Sequence, residues 1–131
     1  LPAHPNVAII IEGLDALPPL AGDPVQLRQI FLNLLENSLQ AVAQNKDASG
    51  QVKIRSVVDG KVAVVTVEDD GPGIPLAAKA KLFEPLNTTK ARGIGLGLAL
   101  VRRIVERHNG TITHDPSPRG TRFTLRLPLH S

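Results

Sequence analysis

The chain has 131 residues, 42% of them hydrophobic, with a formal net charge of +3 and neither cysteine nor methionine. That suffices for one ordinary domain with its own core, and it excludes disulfide and thiolate chemistry. No apolar run reaches the roughly 20 residues of a membrane-spanning helix, the N-terminus lacks the order of a secretion signal, and the only aromatics, Phe31, Phe83 and Phe123, are too few to stack on nucleic-acid bases.

Val7 to Glu12 is a β-branched run and reads as a strand. Asp23-Pro24 then opens a helix, with aspartate as N-cap and proline at the first helical position. Leu27, Ile30, Phe31, Leu34, Leu35, Ser38 and Val42 recur at spacings of three and four, which carries that helix to about Ala43. Two strands follow, Val52 to Val58 and Val62 to Glu68, joined by the hairpin signal Asp59-Gly60. Asp69 to Pro75 reads as a loop, Leu76 to Phe83 as a short helix, and Asn87 to Gly97 as a flexible glycine-rich segment. A second long helix is expected over Leu98 to His108, closed by Asn109-Gly110. Thr111 to His114 and Thr121 to Leu127 are the last strands. Helices and strands mix without strict alternation, so the expected fold is a two-layer α/β sandwich.

Three places carry candidate chemistry. Asn33 and Asn37 lie four apart and share a helix face. Their amide oxygens suit a hard cation such as Mg²⁺, although for the pair alone a polar exposed face is the better explanation. Asp69-Asp70-Gly71-Pro72-Gly73 follows a strand; a carboxylate there can accept a hydrogen bond from an exocyclic amine, and the same residues also make an ordinary turn. Gly93-Ile94-Gly95-Leu96-Gly97-Leu98 precedes a helix, where backbone N–H groups and the helix dipole favour phosphate. It has neither the spacing of a dinucleotide fingerprint nor the lysine of a P-loop, and a glycine hinge is its bland reading. Lys90 stands just before it, placed either to reach a terminal phosphate or as an ordinary surface lysine.

Together and in order, these elements resemble the GHKL superfamily of ATPases and kinases, most closely the sensor histidine kinases. Asn33-Leu34-Leu35-Glu36-Asn37-Ser38 is similar to their N box, and Asp69-x-Gly71-x-Gly73 to their G1 box. Phe83-Glu84-Pro85-Leu86 with Thr88-Thr89-Lys90 is similar to the F box, Gly93 to Leu98 to the G2 box, and Gly120-Thr121 to the last glycine motif. The Thr-Thr-Lys form resembles the nitrogen-regulation type. The resemblance implies a Bergerat sandwich, a mixed sheet with about three helices on one face. It implies ATP (or ADP) and Mg²⁺ as cofactors, with Asn37 and Asn33 on the metal. Asp69 would read the adenine amino group, Gly71 and Gly73 would admit the nucleotide, and Thr121 would sit near the adenine. Lys90 with Gly93, Gly95, Leu96, Gly97 and Leu98 would cover the phosphates as a lid; Asn37 and Lys90 would be catalytic. Where many members carry Lys and Tyr after the second N-box asparagine, this chain has Gln40 and Ala41.

Three activities fit such a chain: a kinase domain presenting ATP to a histidine elsewhere, a hydrolase, or a nucleotide-binding module without chemistry. Position 33 favours the first. The hydrolase branch places a glutamate there as general base, whereas Asn33 accepts no proton at neutral pH, and Glu36 points about 100° away from Asn37 on a helix. The start at Leu1 without any methionine reads as a fragment, cytoplasmic and monomeric, cut from a homodimeric parent that is free to be membrane-anchored. Its partners would be ATP, an upstream dimerisation and phosphoacceptor domain and, indirectly, a response regulator, with no nucleic acid. None of His4, His108, His114 and His130 has the acceptor's context of a helical histidine followed by an acidic residue.

Overall fold

A computed structural model of the chain describes residues 6–74, 82–84, 94–115 and 120–130. Strand β1 (Val7–Glu12) is followed by helix α1 (Pro24–Val42), strands β2 (Gly50–Asp59) and β3 (Val62–Asp69), helix α2 (Ile94–Arg107) and strands β4 (Thr111–Asp115) and β5 (Thr121–Pro128). The strands form one mixed sheet in the order β1-β2-β3-β5-β4. β1 runs parallel to β2, and the other pairings are antiparallel. Gly60, at φ 63°, makes the β2–β3 turn in a conformation glycine adopts without strain.

Strict alternation on β3 and β5 turns Val65, Val67, Phe123, Leu125 and Leu127 to one face. Both helices lie on that face: Leu27, Ile30, Leu34 and Val42 from α1 and Leu98, Val101, Ile104 and Val105 from α2 complete a single core. The opposite face is polar and carries ion pairs such as Arg122–Glu68 and Lys53–Glu12. No helix among the described residues is long and apolar enough to cross a membrane.

The helix ends follow their sequence signals. Asp23 Oδ1 accepts hydrogen bonds from the N–H groups of Val25 (2.9 Å) and Gln26 (3.4 Å), and Pro24 starts α1. At the end of α2, Asn109 takes the left-handed conformation (φ 61°), and the Gly110 N–H donates back to the Val105 carbonyl at 2.9 Å. Two expectations need correction. The described residues hold two α-helices, not three; most of the expected helix Leu76–Phe83 lies outside them. The second long helix begins at Ile94 rather than Leu98, so Gly95, Leu96 and Gly97 form its opening turns instead of a flexible loop. A turn whose backbone bonds are supplied by the residues that follow tolerates glycine at a cost of only about 1 kcal/mol each.

Candidate functional site

The site is built where α1 packs against β3, at the end of the β3–β5 pairing. Asp69 ends β3 and pairs across the ladder with Thr121, the first residue of β5. Asp69 is 2% exposed, Thr121 3%, and Ser38, on the core side of α1, 0%. One carboxylate oxygen of Asp69 accepts the Gly71 N–H at 2.9 Å. The other, Oδ2, is buried without a hydrogen-bond partner, as is the Ser38 hydroxyl. Burial raises the Asp69 pKa from 3.8 to about 6. The Gly71 N–H, the Ser38 hydroxyl and the Thr121 N–H favour the charged form, while Asp70 disfavours it. Ser38 and Thr121 act through proximity, since neither completes a hydrogen bond of good geometry to Oδ2. A buried acceptor left open in this way costs free energy, and a donor arriving from outside relieves it.

Glycines hold the loop after β3 tight. A Cβ on Gly71 would lie 2.9 Å from the Ala41 carbonyl carbon and oxygen, so the loop packs directly on the α1 backbone. A Cβ on Gly120 would come within 2.9 Å of the Asp70 Cα and closer still to the Asp69 carbonyl. Gly73, at φ 84°, faces the Gly120 carbonyl. The two adjacent aspartates divide the work. Asp70 Oδ1 accepts the Gln51 N–H at 2.8 Å, and its carbonyl accepts from the Asn45 side chain at 3.0 Å, so Asp70 latches the start of β2. Only Asp69 is turned inward.

Asn33 and Asn37 lie half-buried on one side of α1. The Asn33 amide oxygen accepts from Gln29 at 2.9 Å. Glu36 is exposed. Among the described residues no cluster of three His, Cys, Asp or Glu side chains could hold a metal. A cation here would therefore rest on the two amide oxygens and on oxygens that the ligand brings, a donor set that suits Mg²⁺. Gly95 and Leu96 lie in the first turn of α2, followed by Gly97 and Leu98. No described atom comes within 4 Å of a Cβ built on Gly97, while Leu98 is buried in the core. Lys90 and Gly93 lie outside the described residues, as do Pro85 to Thr89. Phe83 of the F box is anchored edge-on against Phe123 at 6.0 Å.

The structure thus brings Asp69, Gly71, Gly73 and Thr121 together beside α1. Sequence reasoning placed Ser38 in the apolar stripe of α1 and assigned it no role at the site. A hydroxyl at a core-facing position of an otherwise apolar stripe was the available signal.

The family model described as histidine kinase-, DNA gyrase B- and HSP90-like ATPase matches residues 22–131. The C4-dicarboxylate transport sensor protein DctB of Rhizobium meliloti is 40% identical over 116 residues, which are 88% of this chain and 18% of that protein. The sensory histidine kinase/phosphatase NtrB of Rhodobacter capsulatus is 38% identical over 135 residues, 92% of this chain and 37% of that protein. The chain therefore spans well under half the length of these curated relatives. Among solved structures, the nucleotide-free catalytic domain of histidine kinase ThkA superposes with a TM-score of 0.82 at 31% identity, covering 94% of this chain and 80% of that one. With family model, relatives and fold in agreement, the chain belongs to the histidine kinase-, DNA gyrase B- and HSP90-like ATPases and is a catalytic, ATP-binding domain of the sensor histidine kinase type.

Proposed function

We propose that residues 1–131 bind ATP with Mg²⁺ and present its γ-phosphate to a histidine on a separate dimerisation and phosphoacceptor domain. The observation that carries this reading is the Asp69 carboxylate, buried with one oxygen unpartnered beside the loop that carries Gly71 and Gly73. Asp69 accepts the adenine amino group, with Thr121 beside it, and Gly71 and Gly73 keep the backbone clear of the base. Asn37, with Asn33, holds the cation. A Mg²⁺ ion held there would supply charge neutralisation of the phosphates. Lys90 and the Gly93–Leu98 segment contact the phosphates. The parent protein acts as a cytoplasmic-facing homodimer and passes the phosphoryl group on to a response regulator, and this chain by itself is monomeric. Hydrolysis by the chain alone is disfavoured: Asn33, whose amide accepts no proton at neutral pH, occupies the position of the general base, and Glu36 faces solvent.

The test is single-turnover transfer from labelled ATP to a histidine-bearing partner domain, with wild type and Asn37→Ala compared. Wild type transfers and Asn37→Ala does not. Transfer at the wild-type rate by Asn37→Ala removes the cation role. Nucleotide binding without transfer by wild type leaves a binding module.

A further inference from the structure

The two helices assigned to the phosphate end of the nucleotide meet at one histidine. His108 directly follows α2, and its Nδ1 lies 2.8 Å from the Ile104 carbonyl oxygen. A carbonyl only accepts, so Nδ1 carries the proton. Nε2 is then an acceptor, and it takes the N–H of Asp23, the N-cap residue of α1, at 3.1 Å. The ring is thereby fixed as one neutral tautomer by two backbone partners on different helices. Gly22 makes room for it: a Cβ there would lie 2.1 Å from the His108 Cδ2 and 2.5 Å from its Nε2.

The geometry points to His108 as a positioning residue, a strap that joins the N-terminus of α1 to the C-terminus of α2 and so sets the angle between the helices bearing Asn33, Asn37 and Gly97. This deepens the nucleotide reading above and rests on it. The lever arms are long and nearly equal. At 1.5 Å per residue, Asn33 and Asn37 stand about 15–21 Å along α1 from Asp23, and Gly97 and Gly95 about 17–20 Å back along α2 from His108. The two helices also pack on each other. A small slip at the strap is therefore carried to the phosphate ends. Asp69 and Thr121 ride on the sheet and meet α1 through Ser38 and the Gly71–Ala41 contact, so they follow a slip of the helices less than Asn33, Asn37 and Gly97, which the helices themselves carry. The strap thus bears on phosphate and cation binding more than on adenine binding.

Two measurements test it on the chain as it stands. Nitrogen-15 spectra at pH 8 should show His108 neutral with the proton on Nδ1; a proton on Nε2 overturns the strap. Affinities for Mg·ATP and for adenosine are then compared in wild type and His108→Ala. Loss of one hydrogen-bonded tie predicts a Mg·ATP complex weakened by up to about tenfold, with adenosine weakened clearly less. Equal loss for both ligands, or loss for neither, overturns the proposal, because general destabilisation does not distinguish them. If His108→Ala fails to fold, His108→Gln is read the same way. A wild-type chain that binds neither ligand refutes the nucleotide reading itself, and the tautomer alone then decides whether the strap exists.

Discussion

Asp69 Oδ2 and the Ser38 hydroxyl, on facing elements of the two layers, are both buried and both lack a hydrogen-bond partner. Two open polar atoms sharing one niche define what a ligand must bring, namely a donor for the carboxylate. Asp69→Asn is therefore expected to weaken ATP and ADP alike, by the roughly 1.5–3 kcal/mol of a charge-assisted hydrogen bond. A purine nucleotide without the exocyclic amine should bind wild type and variant equally. Calorimetric titration checks both; an equal loss for the amine-free nucleotide would remove the assigned contact.

The same substitution should make the free domain more stable. The folded-state pKa of Asp69 is about 6 against an ordinary aspartate value of 3.8. The folded state then holds more protons than the unfolded one between those values, so stability falls as pH rises through that window and is flat above it. The charged form at pH 7.5 is disfavoured by up to about 3 kcal/mol. Asp69→Asn keeps an acceptor for the Gly71 N–H and offers a donor to Ser38 Oγ. Its advantage in urea unfolding should be largest above pH 6 and vanish near pH 4. A variant less stable than wild type at pH 7.5 contradicts this. By the same linkage, nucleotide affinity of wild type should fall below pH 6, because an amine donor binds the carboxylate.

Two box glycines should respond with opposite signs. Gly71 is held against the α1 backbone at Ala41, so Gly71→Ala is expected to destabilise the fold by about 1–3 kcal/mol. Gly97 lies in α2 with no described atom within 4 Å of an added Cβ, so Gly97→Ala should stabilise the free domain by about 0.5–1 kcal/mol. It should still weaken ATP, because the methyl group stands where backbone would approach phosphate. Thermal unfolding paired with ATP titration reads both; a stabilised Gly97→Ala with unchanged ATP affinity would leave that glycine without a role at the site.

Much of this was legible in the residues, and the gaps have physical causes. The N-cap at Asp23, the hairpin at Asp59-Gly60 and the stop at Asn109-Gly110 are local signals, read by side chains a few residues away, and all three act as expected. The start of α2 was misplaced by four residues because Gly95 and Gly97 carry low intrinsic helix propensity, while the apolar packing of Leu98, Val101 and Val105 that fixes the helix is tertiary. Which of Asp69 and Asp70 turns inward follows from strand alternation on β3 and from the Gln51 and Asn45 partners of Asp70, contacts 19 and 25 residues away in the chain. The His108–Asp23 tie spans 85 residues, and no pattern in either helix announces it.

The last expectation concerns the chain's own histidines. Incubated alone with ATP·Mg²⁺, the chain should bind nucleotide and carry no acid-labile phosphate. An acceptor imidazole needs one ring nitrogen free to attack in line with the γ-phosphate. Both nitrogens of His108 are committed to the Ile104 carbonyl and the Asp23 N–H, at the ends of α1 and α2 remote from Asn37 and Gly97. His114 lies on edge strand β4 with its ring tilted against Phe123 at 5.6 Å, inside the layer rather than on a helix. His130 follows β5 and is tied through its backbone N–H to the Pro19 carbonyl at 2.8 Å. His4 lies outside the described residues, and its neighbour Pro5 is incompatible with a helical acceptor context. Supplying a helical histidine domain in trans should yield label on that domain only. Mass-spectrometric mapping after single turnover checks it: stoichiometric phosphate on any of these four histidines shows that the chain supplies its own acceptor and overturns the division of labour between two domains.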